Sequence, residues 1–209
     1  AVIIVSVASC VTCEYLSRIV LKKPQSVADL SAVVTGVLLA FNLPSSIPLW
    51  QVAIGGVVAI VVVKQMFGGL GFNFVNPALV GRIVLMSSFP KEMDNWVMPL
   101  LGSGVDAKTG ASPLYTLSQG GEIQYNLKDL FFGIRPGSLG ETCVLALLLG
   151  GTYLVIRHVI SPTIPLIYIG TVFILTWLVG GDPLVGILSG GLMLGAIFMA
   201  TDYTTSPIN

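Results

Sequence analysis

The chain has 209 residues, 54% of them hydrophobic and only 10% charged, with a mean hydropathy of +0.91 and no formal net charge. So few charges cannot cover a water-soluble domain of this size, and a balanced charge offers nothing to nucleic acid. The composition therefore points to an all-α polytopic membrane protein, a helical bundle occupying residues 1–209 as a single membrane domain.

The first apolar run covers Ala1 to Leu21, the second Ala28 to Leu43 and the third Ile47 to Phe67. A glycine-rich break, "GGLGFNFVNPALVGR", leads into a short apolar piece ending near Ser88. The interval 89–137 is mixed and polar and reads as a long extracytoplasmic loop. Three more runs follow, Leu139 to Ile160, Ile164 to Val179 and Leu184 to Ala200. Several fall short of the ~20 residues that span a bilayer, so short or broken helices are expected. The chain starts inside an apolar run without signal-peptide features and stops just after another, so further helices are expected at both ends.

Basic residues set the orientation. Arg18, Lys22 and Lys23 follow the first run; if that end is cytoplasmic, alternation puts Lys64, Arg157 and His158 on the same side, as the positive-inside rule requires. The long interval then lies outside, with Arg135 among its loop charges, and the threonine-rich end after Ala200 lies inside. Cys10 and Cys13 form a C-x-x-C pair within an apolar helix. With Cys143 they make three thiols, fewer than the four ligands of a structural metal site, which favours a packing role, with a cluster sharing ligands with another chain at a subunit interface as the alternative.

"NLPSSIPLWQVAIGGVVAIVV" and "VISPTIPLIYIGTVFILTWLV" share a Pro-x-x-Ile-Pro-Leu start. Each precedes a glycine-rich segment and a polar, proline-containing stretch, "FNFVNPALVGR" first and "FMATDYTTSP" second. Paired broken helices of this kind point to a binding site at the interface of internal repeats; chance similarity of two apolar segments is the alternative.

Four places can carry chemistry. Asn76 before Pro77 predicts a capped helix start whose free N–H groups favour anionic groups such as phosphate. Arg82, one and a half turns later, either lines a polar cavity or snorkels to an interface. In "RPGSLGETC", Ser138 and Glu141 have capping-box spacing at the start of a membrane helix, and Glu141 could also touch a cofactor or cation. Asp202 follows an apolar helix; it and Glu141 are expected to serve coupling more than folding. Finally, "DAKTGASPL" places Thr109 and Ser112 around Gly110 and Ala111, downstream of Asp106. These are turn formers, yet a hydroxyl on such a loop can also take a covalent cofactor through its phosphate. No Walker loop or dinucleotide fingerprint is present.

"DAKTGASPL" resembles the flavin-attachment motif of the RnfD and NqrB families. "FNFVNPALVGRIVL", "RPGSLGETCVLALLLGG" and "FMATDYTTSP" resemble three further blocks of those families in the same order, and "IPLIYIGTVFILTWL" is closer to RnfD. The resemblance implies a subunit of the Rnf complex in the bacterial inner membrane, which moves electrons between ferredoxin and NAD while pumping sodium ions or protons. It implies FMN joined by a phosphoester to Ser112 on the outer side by a flavin transferase, with Thr109 the fallback acceptor. The family usually has threonine where Ser112 stands. It implies RnfA, RnfB, RnfC, RnfE and RnfG as partners, leaves room for a second, non-covalent flavin such as riboflavin, and suggests inverted repeats like those of urea transporters. A urea-transporter-like channel or solute transporter is the competing reading, and a cofactor-free scaffold a third.

Overall fold

The computed structural model describes residues 1–97, 116 and 126–202, and the described residues are helical with no sheet. They fall into two compact units, one of residues 1–94 with Asp202 and the other of residues 95–201.

In the first unit, α1 (Val2–Val20) is the one helix among the described residues long and apolar enough to cross a membrane by itself. A single 3-10 turn, Val27–Asp29, leads to α2 (Ser31–Phe41). Helix α3 (Leu49–Val57) starts at Pro48 and widens into π geometry over Val58–Gln65. Such widening commonly marks a functional position in a helix. The chain then turns at Gly68, Gly69 and Gly71, all at positive φ, where a side chain would be strained, and enters α4 (Pro77–Ser88). A four-residue helix, α5 (Pro90–Met93), follows.

Small residues let these helices approach closely, as membrane helices require when lipid supplies no hydrophobic drive. A Cβ on Gly36 would stand 2.7 Å from Val7 Cα, and one on Gly81 would stand 2.9 Å from the Gly55 carbonyl oxygen. Beside the first contact, Ser6 donates to the Gly36 carbonyl at 2.7 Å. Cys10 lies in the same core, packed with Ala32 and Ile60.

The second unit contains α6 (Leu127–Phe132), α7 (Val144–Ile156), α8 (Thr163–Leu178), α9 (Pro183–Leu188) and α10 (Leu192–Leu194), the last running into a π turn at Gly195–Met199. Helix α8 buries only Pro165 and exposes apolar side chains around the rest of its surface. A helix apolar all round belongs in apolar surroundings. Gly151 of α7 leaves room for Ile197, whose Cγ2 would be 2.6 Å from a Cβ there.

Two helix starts of one kind recur among the described residues. In the first unit Asn76 precedes Pro77, and its Oδ1 accepts from Ala78 N at 3.0 Å and Leu79 N at 3.4 Å. In the second unit Asp182 precedes Pro183, and its Oδ1 accepts from Leu184 N at 3.0 Å and Val185 N at 3.4 Å. Each Asx-Pro cap comes after a proline-led helix and a pair of glycines.

Candidate functional site

The densest polar cluster of the first unit lies inside its helices. Glu14 of α1 is fully buried and Lys64, in the π turn after α3, is 1% exposed. Their charges meet at 2.9 Å, Lys64 Nζ to Glu14 Oε1. Four polar contacts converge on the carboxylate: Lys64 Nζ on both oxygens, at 2.9 and 3.1 Å, Ser26 Oγ at 2.7 Å and Gln65 Nε2 at 3.0 Å. A buried carboxylate needs such a set of donors to be satisfied away from water. Lys64 also donates to Ser31 Oγ, and the Ser31 hydroxyl and backbone N–H both donate to Asp29 Oδ1. Lysine has no acceptor, so the serine proton can point only toward the aspartate. The result is a directed chain from a buried acid through an ammonium and a hydroxyl to exposed Asp29.

Burial works to raise the Asp29 pKa. The Ser31 hydroxyl and backbone N–H, with the Lys64 and Arg18 charges, outweigh that cost and hold the carboxyl below its ordinary value.

Beside this chain is a cavity of about 250 Å³ whose polar lining comes from Asp29, Ser31, Thr35, Lys64, Asn73, Asn76 and Asp202. Val34, Leu38 and Leu70 supply apolar wall. Asn73 is 8% exposed and its Oδ1 has no hydrogen-bond partner. A buried amide oxygen left unpaired costs about 1–3 kcal/mol, so it is an acceptor suited to a ligand N–H. The volume is slightly below the roughly 300–1,000 Å³ of small-molecule pockets. A flavin ring offers the N–H that Asn73 lacks, apolar faces for the wall and a redox-active edge for Lys64, so the residues present fit such a group.

The residues singled out from sequence divide clearly. Asn76 caps α4 as expected and lines the cavity with Pro77. Asp202 lines the same cavity. Arg82 is half-buried and donates to Asn42 Oδ1 at 2.9 Å, while Asn42 donates to the Leu38 carbonyl at 2.7 Å. It is a charge partnered between two helices and is not among the residues lining the cavity. Lys64 does not stand at a solvated helix end, as its place after the third run suggests; the acid on α1 draws it inside. Glu14 is missed by the sequence reading, although an acid within an apolar run signals a need for a partner.

Glu141 belongs to the second unit, with a corrected local role. The Ser138 N–H donates to Glu141 Oε1 at 3.2 Å, half of a capping box, but α7 begins only at Val144 with Cys143 as its cap. The Ser138 hydroxyl is buried and unpartnered, so this box closes a turn ahead of the helix. Arg135, counted among loop charges by sequence, is 1% exposed and donates from Nη2 to the Glu141 carbonyl at 2.7 Å. Burial lowers its pKa against the pull of Glu141. Asp106, Thr109, Gly110, Ala111 and Ser112 lie outside the described residues.

The profile of the NQR2, RnfD, RnfE family matches residues 1–209. The chain belongs to this family. Among curated proteins it is 49% identical to the D-type subunit of the Na(+)-translocating ferredoxin:NAD(+) oxidoreductase complex of Acetobacterium woodii, covering all of this chain and 65% of that one. It is 44% identical to the D-type subunit of the proton-translocating ferredoxin:NAD(+) oxidoreductase complex of Clostridium ljungdahlii, over 99% of this chain and 67% of the relative. It is also 39% identical to the B-type subunit of the Na(+)-translocating NADH-quinone reductase of Chromohalobacter salexigens, over 81% of this chain and 44% of that one. The chain thus spans about two thirds of the length of these two D-type relatives. In the family's terms, the Glu14–Lys64 pair and the cavity beside it lie in a chain whose relatives are named for ion translocation coupled to electron transfer.

Proposed function

We propose that this chain is the D-type membrane subunit of an ion-translocating ferredoxin:NAD oxidoreductase complex, relaying electrons by flavin and assembling with further membrane and peripheral subunits. The observation that carries this reading is 49% identity along the entire chain to a D-type relative named for that activity. The match to the B-type relative from the quinone reductase is weaker and covers less of the chain. A channel of the urea-transporter kind finds support only in the recurring Asx-Pro helix starts, which fit inverted repeats and serve either function.

Two flavin places follow. FMN is held by a phosphoester at Ser112, with Thr109 the fallback, after transfer from outside the membrane. A second, non-covalent flavin ring sits in the cavity lined by Asn73, Asn76 and Lys64. A flavin accepts and passes single electrons, which is the chemistry a relay needs. The chain's part is to hold each ring, keep water from it and set the charge around it.

The test is fluorescence of the subunit after denaturing electrophoresis, followed by mass analysis of the peptide containing Ser112. A fluorescent band carrying the FMN mass on Ser112 is expected, retained in Ser112→Thr and lost in Ser112→Ala. An unmodified peptide from the native host removes the covalent relay, and modification on Thr109 moves the assignment.

A further inference from the structure

The attachment chemistry proposed for Ser112 gives the Glu14–Lys64 pair no task. Its geometry is asymmetric: Lys64 lines the cavity and Glu14 does not. Among the described residues that line the cavity, the other titratable groups are Asp29 and Asp202, both acids, and Lys64 is the one cation. Glu14 stands directly behind the ammonium at 2.9 Å. Seen from the cavity, the pair presents a positive charge whose strength is moderated from the rear.

A redox ring that gains negative charge on reduction would be disfavoured by Asp29 and Asp202 and favoured by Lys64. The N-terminal end of α4 at Asn76 adds a smaller positive contribution to the same wall. Charge placed near the ring edge is one of the ways a protein tunes a flavin, and at buried positions such charges are weakly screened.

We propose that Lys64 and Glu14 are opposed positioning charges that set the reduction potential of the ring held in the cavity, Lys64 raising it and Glu14 limiting the rise. This rests on the reading that a non-covalent flavin occupies the cavity. The two residues exchange no electrons; the carrier is oxidised and reduced by its neighbours in the chain of carriers, and the pair only changes the ease of that step. When Glu14 is neutralised, Lys64 still has the Ser31 hydroxyl to donate to, and Ser31 in turn donates to Asp29.

The experiment is spectroelectrochemical titration of the purified complex, following the wave that disappears when non-covalent flavin is extracted. Glu14→Gln should move that wave to higher potential and Lys64→Met to lower potential. A purely structural pair would move both the same way, through loss of bound flavin or of the subunit. Where a single variant fails to assemble, the combined Glu14→Gln/Lys64→Met variant, which leaves no unpaired charge, decides the matter: its wave should lie below that of wild type. Shifts of one sign in the single variants, or an unchanged wave in the combined variant, overturn the inference. A wild-type complex with no extractable flavin, or one whose flavin survives intact when Asn73→Leu fills the cavity, overturns instead the reading beneath it.

Discussion

Replacing Lys64 with methionine tests the energetic side of the buried pair. The substitution keeps the volume and removes both contacts of Nζ to the Glu14 carboxylate. Glu14 then keeps two donors, Ser26 Oγ and Gln65 Nε2, for a charge that remains fully buried. Breaking one side of such a pair costs about 3–5 kcal/mol, consistent with two lost charge-assisted hydrogen bonds at about 1.5–3 kcal/mol each. Adding Glu14→Gln removes the stranded charge. The combined variant leaves one amide N–H without an acceptor, a cost of about 1–3 kcal/mol. Protease resistance of the subunit across a denaturant series, in detergent-solubilised complex, reads both values. The expected order is wild type, then the combined variant, then Lys64→Met. A combined variant at least as weak as Lys64→Met would refute the reasoning, because the cost would then lie in packing and not in unpaired charge.

Two further outcomes follow from the same structure. Gly81→Ala brings a Cβ to 2.9 Å from the Gly55 carbonyl and should cost about 1–3 kcal/mol by overpacking, while Gly170→Ala meets nothing within 4 Å and should be neutral or stabilising by about 0.5–1 kcal/mol; the same protease assay compares them. Asp29 has its pKa lowered on folding, so its contribution is fully present above the ordinary carboxylate range and is lost as pH falls through the lowered folded value. A pH series of subunit stability should show this acid-side loss in wild type and a smaller one in Ser31→Ala, which removes one of the hydrogen bonds responsible.

What can be read from sequence is whatever local chemistry determines. Asn76 before Pro77 defines a helix start by side-chain geometry within three residues, and the cap is found there. The glycine break before it needs positive φ and has it. What escapes depends on partners far along the chain. Glu14 and Lys64 are 50 residues apart and each looks ordinary alone, Lys64 passing for an interfacial charge. Arg135 looks like a loop charge because nothing nearby in sequence tells that the Glu141 carbonyl folds back to receive it. Ser138 and Glu141 have the right spacing for a helix cap, yet Cys143 takes that place, since half a capping box is equally content in a turn.

The separation of Glu14 from Lys64 also bears on how the chain is made. Helix α1 leaves the ribosome with a carboxylate in its apolar length, and its countercharge follows 50 residues later. At about 5–20 residues per second of synthesis, that is a wait of roughly 3–10 seconds. Releasing such a helix into lipid alone costs roughly 2.5–3.5 kcal/mol for its charge on insertion scales. The insertion machinery therefore has reason to retain α1 until α3 arrives, so that the two enter the bilayer as a neutral pair.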